Sequence, residues 1–248
     1  MSVPQSLEEA ISNAKTAVKA ALADGYQRVQ VELVIPEIAL QAQAIALEFT
    51  TIFSDYGSGL KVIFPDTGAA ALARRDWGET TFKITDIGTS RSPVERRISD
   101  SDQLFLVVSP SAVEVNQVEK LCNLPGDRPV VLLIPQLEDV SIVGIGLAAR
   151  QLRERFLSTI ESCYYFRPLE GAAVIKVYPG TWQVWVETAD NNNYELLCEQ
   201  TQKPMGEALE RILTQPSTSE DTPPTPVIAK KKSGLLGSLQ QFLKALSQ

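Results

Sequence analysis

Histidine is absent from the 248 residues of the sequence. Without an imidazole group, the chain cannot build a Ser-His-Asp or Cys-His nucleophile system, nor a zinc or iron site with histidine ligands. Long apolar stretches are absent as well, since no run reaches the roughly 18 residues that a helix needs to cross a bilayer. We therefore expect no membrane-spanning helix, no metal and no other cofactor.

Cysteine is scarce too. The three cysteines are Cys122, Cys163 and Cys198, and no two of them form a C-x-x-C pair. An odd number of scattered thiols is typical of reduced, buried cysteines in a cytosol-like compartment. The opening residues MSVPQ lack the basic and apolar regions of a signal peptide, and the Arg- and Ser-rich character of a transit peptide. The sequence therefore predicts a cytoplasmic protein.

The distribution of charge predicts an acidic domain followed by a basic tail. The net charge is −7, which argues against a nucleic-acid partner because such binders carry a basic domain or stripe. A Pro/Ser/Thr-rich stretch follows Gln215; from there on, four lysines and two acidic residues give +2, which leaves −9 for residues 1–215. We predict an α/β domain over residues 1–215, a disordered linker over 216–232 and an amphipathic helical tail over 233–248.

Helical and strand-like segments alternate along the predicted domain. Ser6 and Glu9 form a capping-box pattern at the start of an Ala-rich helix. Short, continuous apolar runs between helices are typical of parallel strands that are buried on both faces. The runs cover residues 29–35, 60–64, 81–87, 104–108 and 130–134.

The alternation of strands and helices ends in the last third of the predicted domain. The tripeptide Gly-Ile-Gly at 144–146 precedes a long helical pattern, in which Ala149, Leu152, Phe156 and Ile160 share one face. Strand-like runs then follow at 172–178, 182–187 and 194–199, joined by short turns that favour an antiparallel meander. The predicted fold is α/β: a mainly parallel sheet flanked by helices, as in a Rossmann-like three-layer sandwich, with a C-terminal antiparallel meander.

Several residues directly follow the predicted parallel strands, at the edge where open α/β sheets bind ligands. Asp66 or Thr67 would cap a helix, and Gly68 would let an anion approach its amides, with Arg74 and Arg75 adding positive charge. A plain helix cap and a solvated helix face explain the same residues. The other candidates at this edge are Ser109, Ser111, Glu138 and Asp139, of which the two acids could bind a hard cation or simply be solvated.

A second candidate lies before the long helical pattern. Gly144 and Gly146 precede Arg150 and Arg153, as in a turn that cradles phosphate. The third glycine of the dinucleotide motif is missing, and tight backbone packing explains the two glycines equally well. These residues support an alternative function, in which the chain is an enzyme or sensor that binds a nucleotide or another phosphorylated metabolite.

The tail combines positive charge with an apolar helical face. Its apolar face would carry Leu235, Leu236, Leu239, Phe242, Leu243 and Leu246, and it follows Lys230, Lys231 and Lys232. Such a segment suits insertion into an anionic membrane surface. Docking in the groove of a partner, or on the domain itself, remains open as an alternative.

Several motifs are spread along the predicted domain. They are FPDTGAAALARRDWG at 64–78, SPS at 109–111, QVEKLCN at 117–123, GDRPV at 126–130, LEDV at 137–140, and RQLRERF at 150–156 continuing to CYY at 163–165. Together they resemble a family of uncharacterised domains shared by cyanobacteria and plastids, and the resemblance runs from about residue 6 to residue 213. Members of this family include the chloroplast protein named for low photosystem II accumulation and a domain appended to a chloroplast adenylate kinase.

The resemblance implies a photosynthetic context. It suggests a non-enzymatic accessory factor that assists photosystem II assembly or accumulation, with photosystem II subunits or assembly factors as partners. It also suggests a peripheral position on the cytoplasmic face of the thylakoid membrane, where the tail could bind anionic lipid. The family has no established reaction, so the resemblance implies no catalytic residues.

Overall fold

Alternating strands and helices build a nine-stranded mixed sheet with helices on both faces. The computed structural model describes residues 2–124, 126–138, 147–188 and 193–214. The strands are β1 (Arg28–Leu33), β2 (Leu60–Phe64), β3 (Lys83–Asp86), β4 (Leu104–Val108), β5 (Val130–Leu133), β6 (Glu161–Leu169), β7 (Ala172–Val177), β8 (Trp182–Glu187) and β9 (Tyr194–Gln200). The α-helices are α1 (Leu7–Ala23), α2 (Ala42–Thr50), α3 (Thr67–Trp77), α4 (Val115–Cys122), α5 (Leu147–Arg155) and α6 (Gly206–Thr214).

The order of the strands confirms the predicted fold class. Across the sheet the order is β3-β2-β4-β5-β1-β6-β7-β8-β9. Every pair from β3 to β6 is parallel, and the pairs from β6 to β9 are antiparallel. The sheet is therefore mainly parallel in its first part and ends in a C-terminal meander.

Helices cover the two faces of the sheet differently. On one face, α1, α2 and α3 pack on a continuous apolar core that extends from β2 to β7. On the other face, α4 and α5 pack over β4 and β5, and Leu209 of α6 packs on the meander as part of a separate cluster. The second face thus carries two apolar clusters with a gap between them.

The first helix begins at the predicted cap. Ser6 Oγ accepts a hydrogen bond from the Glu9 amide at 3.2 Å, which satisfies one of the free amides at the helix start. The Glu9 carboxylate accepts a hydrogen bond from the Gln5 amide at 2.8 Å, one residue before the position that a capping box would use. The prediction of this helix start is confirmed.

Strand β6 is the element that the sequence does not predict. The helical spacing of Phe156 and Ile160 suggests that the preceding helix continues, yet α5 ends at Arg155, and a short 3₁₀ turn leads into β6. Both side chains are buried, but Ile160 already has an extended backbone. Pro168 is tolerated inside β6 because pairing with β1 ends earlier, at Phe166, so its missing N–H removes no hydrogen bond to β1.

A buried ionic cluster joins the amino-terminal ends of three strands. Asp102, fully buried just before β4, forms ion pairs with Lys61 of β2 and, at 2.8 Å, with Lys83 of β3. The Ser99 amide donates to the same carboxylate at 2.8 Å. Burial by itself would raise the pKa of Asp102, but the hydrogen bonds from Lys61, Lys83 and Ser99 outweigh it and hold the pKa below its usual value.

We expect Asp102→Asn to lower the free energy of unfolding by about 3 kcal/mol at neutral pH, because the buried Lys61 loses its charged partner. The pKa of Asp102 is lower in the folded state than in the unfolded state. Its contribution is therefore present above pH ~4 and is lost as the pH falls through the folded-state pKa. Urea unfolding at a series of pH values should show the difference shrinking in acid. An equal loss for the exposed Asp100→Asn, or a difference that stays constant with pH, would contradict this assignment.

Candidate functional site

Strand β1 carries polar side chains on one face, although it lies between β5 and β6 in the middle of the sheet. Its two valines and its leucine are buried in the same core as α1, whereas Gln30 and Glu32 face the other side and are half-buried. Central strands of parallel sheets are normally apolar on both faces. The polar face of β1 therefore marks the gap between the two apolar clusters as a candidate site.

Gln30 and Glu32 line a cavity of about 900 Å³, named here the polar cavity. Residues of α5 and the following 3₁₀ turn form one wall, and the segment before α6 forms the opposite wall. Loops after β4 and β5 close the carboxyl end. The lining residues are Gln30, Glu32, Ser111, Ala112, Pro135, Gln136, Leu137, Glu138, Arg153, Leu157, Ser158, Lys203 and Met205.

A second cavity of about 530 Å³, named here the apolar cavity, lies at the carboxyl ends of β1, β5 and β6. The chain leaves β1 toward β2 and leaves β6 in the opposite direction, toward β7. Such a divergence opens the crevice in which open α/β sheets bind ligands. The lining residues are Glu32, Leu33, Val34, Ile35, Pro36, Ile38, Ile134, Pro135, Gln136, Arg167, Pro168, Leu169 and Glu170.

The backbone is strained directly after β4 and β5, next to these cavities. Ser109 directly follows β4 with φ 46°, and Ile134 directly follows β5 with φ 53°. A β-branched residue with positive φ is costly, and it persists only where its surroundings fix it. Each of the two amides donates a hydrogen bond to the neighbouring strand, at 2.7 and 2.8 Å. The strained residues place the following loops side by side, joined by a parallel bridge between Ser111 and Gln136.

Glu32 is the best-satisfied charge in the polar cavity. Its Oε2 accepts hydrogen bonds from Gln30 at 3.0 Å and from Ser162 of β6 at 2.7 Å, and its Oε1 lies 2.7 Å from Lys203 Nζ. The same ammonium lies 4.2 Å from the ring centre of Tyr165. Burial, together with the nearby Glu32, raises the pKa of Tyr165 to about 12, so its phenol stays protonated. Lys203 thereby attaches the segment before α6 to the middle of the sheet.

Three of the sequence candidates meet in the polar cavity. Ser111, Glu138 and Arg153 all line it, and Arg153 Nε donates to Glu138 Oε1 at 2.9 Å. Ser111 is also engaged locally, since its hydroxyl donates to Glu114 at 2.6 Å. Ser111 and Glu138, which follow two neighbouring strands, therefore meet at the carboxyl end of the cavity, as the rule for strand ends anticipates, and Arg153 reaches them from the wall formed by α5.

The candidates at the start of α3 lie elsewhere. Asp66 caps α3 by accepting a hydrogen bond from the Ala69 amide at 2.9 Å, and Thr67 approaches Asp86 at 3.4 Å. A Cβ atom added to Gly68 would lie 3.0 Å from the Asp66 carboxylate, so the glycine leaves room for this cap. None of the three candidates Asp66, Thr67 and Gly68 lines either cavity.

The other arginine candidates, Arg74, Arg75 and Arg150, lie outside both cavities. Arg74 and Arg75 lie in the last turn of α3, at the opposite end from Asp66. Arg74 donates to the Ile84 carbonyl at 2.8 Å, and Arg75 pairs with its neighbour Asp76 at 2.7 Å. Arg150 is exposed on α5 and does not line either cavity. The other candidates, Asp139, Gly144, Gly146 and the linker and tail at 216–248, lie outside the described residues.

The sequence analysis misses five polar residues of the site: Gln30, Glu32, Gln136, Ser162 and Lys203. The signal for Gln30 and Glu32 is visible in β1, where polar residues 28, 30 and 32 alternate with apolar ones inside a strand expected to be buried on both faces. The sequence gives no such signal for Ser162 or Lys203, the two residues outside β1 that bond to Glu32. Ser162 lies in the unpredicted strand, and Lys203 lies between a strand and a helix.

Two of the cysteines are buried, and their thiols stay protonated near neutral pH. Burial raises the pKa of the Cys122 and Cys163 thiols to about 12, so neither is a thiolate nucleophile near neutral pH. Within the described ranges, no three cysteine or acidic side chains are grouped to hold a metal ion. In the same ranges, no helix has the length and apolar character needed to cross a bilayer.

Together, the fold and the site define an open, mainly parallel α/β domain with a ligand-sized crevice at its carboxyl edge. The sequence profile of a family described as a domain of unknown function (DUF1995) matches residues 4–211. Because this match covers most of the chain, the chain belongs to the DUF1995 family. No solved structure matches the chain.

We expect Lys203→Met to lower the free energy of unfolding by about 1–3 kcal/mol, because Glu32 loses its cation in a largely buried position. Urea unfolding at neutral pH measures the loss. The control is Glu48→Gln, which breaks an exposed pair with Lys15 and should change the stability by less than about 1 kcal/mol. Equal effects of the two variants would mean that Lys203 does not hold the wall of the cavity in place.

Proposed function

We propose that this protein is a non-enzymatic accessory factor of photosynthetic membranes, which assists photosystem II assembly or accumulation by contacting photosystem II subunits or assembly factors. All the motifs that support this proposal, from residue 64 to residue 165, lie inside the region that matches the DUF1995 family. They resemble the chloroplast protein named for low photosystem II accumulation and the domain appended to a chloroplast adenylate kinase.

Exposed apolar side chains around the two cavities are the observation that carries the proposal. They are named here the edge rim: Val34, Leu40, Val113 and Met205. Leu40 is 79% exposed and belongs to the 3₁₀ helix Ile38–Gln41, whose first residue lines the apolar cavity. Val113 is 67% exposed and directly follows Ala112 of the polar cavity. Exposed apolar side chains next to a crevice are typical of surfaces that contact other proteins.

The charges of the polar cavity support binding more than proton transfer. Glu32 is paired with Lys203, and Glu138 is paired with Arg153. Both carboxylates therefore already have a partner within the protein, whereas a general acid or base has to hydrogen-bond the substrate. The two acids and two bases leave no excess of positive charge among these four groups, so they give no net attraction for the alternative ligand, a nucleotide or phosphorylated metabolite. A volume of about 900 Å³ still suits a small molecule, so that alternative keeps one favourable observation.

The tail would supply the attachment to the membrane. Lys230, Lys231 and Lys232 precede the apolar residues Leu235, Leu236, Leu239, Phe242, Leu243 and Leu246. Each lysine near an anionic surface contributes about 1 kcal/mol, and the apolar side chains add to this by burial in the headgroup region. The protein would then act at the cytoplasmic face of the thylakoid membrane.

We expect the tagged full-length chain to capture photosystem II subunits from solubilised photosynthetic membranes, as measured by quantitative immunoblotting. Leu40→Asp combined with Val113→Asp should reduce the capture about fivefold or more, since it places charge in the apolar edge rim. Leu72→Asp, at an exposed apolar position on α3, is the matched control and should capture normally. Failure of the full-length chain to capture any such subunit, or equal capture by all three chains, would refute the proposal.

We expect the full-length chain to sediment with liposomes that contain phosphatidylglycerol. Replacing Lys230, Lys231 and Lys232 by glutamine should weaken this binding about a hundredfold, because three contributions of roughly 1 kcal/mol are lost. Liposomes of phosphatidylcholine alone serve as the control and should bind both chains weakly. If the triple variant sediments like the unchanged chain, the tail lysines do not attach the protein to the membrane.

A further inference from the structure

The polar and apolar cavities lie side by side. They share Glu32, Pro135 and Gln136 as lining residues at the carboxyl edge of the sheet, and the two together are named here the groove. Their volumes, about 900 and 530 Å³, together exceed the range of 300–1,000 Å³ that is typical of small-molecule sites. The combined groove therefore fits an elongated ligand better than a compact one.

The hydrogen-bonding groups of this groove fall into two sets. Glu32 and Lys203 bond to each other and to protein neighbours, so they build the wall. In contrast, Arg153 uses only Nε for Glu138, and its two terminal nitrogens have no partner among the described residues. The side-chain amide of Gln136 and the amide oxygen of Gln30 likewise have no hydrogen bond within the described part of the chain. A ligand would meet two amide groups and a guanidinium that can donate.

The charges limit the ligand further. In the polar cavity the acids Glu32 and Glu138 balance the bases Arg153 and Lys203. A ligand with several charges of one sign would disturb that balance, because two of these four groups carry the same sign and would repel it. The apolar cavity adds one further acid and one further base, Glu170 and Arg167, so the balance of charge is kept. Apolar side chains line the space between the charged groups in both cavities, among them Leu137, Leu157 and Met205 in the polar cavity. An uncharged ligand with polar and apolar groups spaced along its length would match this lining.

We propose that the groove binds an extended, uncharged peptide segment of a partner protein, an inference that rests on the proposed function in protein contacts. Peptide carbonyl and N–H groups match the donors of Arg153 and the amides of Gln30 and Gln136. Alternate side chains of an extended segment point to opposite sides, so apolar ones can enter the apolar cavity. The edge rim, with Met205 beside one cavity and Val34 beside the other, flanks the entry of the segment.

A randomised octapeptide library displayed on phage, selected against the full-length chain, tests the groove. The selected peptides should be depleted in Asp, Glu, Lys and Arg. Fluorescence polarisation of these peptides should show binding about tenfold weaker for Arg153→Ala, which removes a charged donor. Arg150→Ala, three residues earlier on α5 and outside the groove lining, is the matched control and should bind like the unchanged chain.

Three outcomes would overturn the inference. The selection could enrich no peptides, or it could enrich strongly charged peptides. The third such outcome is that the unchanged chain and the Arg153→Ala variant bind the selected peptides with equal affinity. The result is separable from the capture of photosystem II subunits. Capture without peptide enrichment would remove the peptide groove and leave the proposed function. Peptide binding without capture would support the groove and remove photosystem II as the source of its partner.

Discussion

The need to satisfy polar side chains on a central strand governs the architecture of this domain. Glu32 lies in β1, with β5 on one side and β6 on the other, and a carboxylate in that position must find donors. It obtains them from Gln30 of its own strand, Ser162 of the next strand and Lys203 before the last helix. One carboxylate therefore ties together three parts of the chain that are distant in sequence.

That requirement also explains why the two faces of the sheet differ. The face under α1, α2 and α3 is a single apolar core, since every strand presents apolar side chains to it. On the opposite face the polar side chains of β1 interrupt the core, and the helices settle on either side of them. The groove is the space that remains, and the strained backbone at Ser109 and Ile134 brings two loops to its carboxyl end.

Particular elements show what the sequence can and cannot predict. Strands such as β4 and β5 are predictable because they are buried on both faces and bounded by proline, and Ser111 and Glu138 follow from their positions after those strands. Strand β6 is missed because Pro168 suggests an interruption and because the preceding residues keep helical spacing. Pro168 costs a hydrogen bond only if β1 still pairs with β6 at that position. The point where this pairing stops depends on the assembled sheet and cannot be read from the sequence of β6.

The contact between Glu32 and Lys203 joins residues that are 171 positions apart. During synthesis, β1 emerges from the ribosome early, while its ammonium partner emerges only after eight more strands have been made. Domains fold largely as units as their sequence becomes complete, and contacts between distant residues form late. The groove is therefore finished only when almost the whole domain has been translated, so a nascent chain cannot engage a partner through it before its own fold is in place.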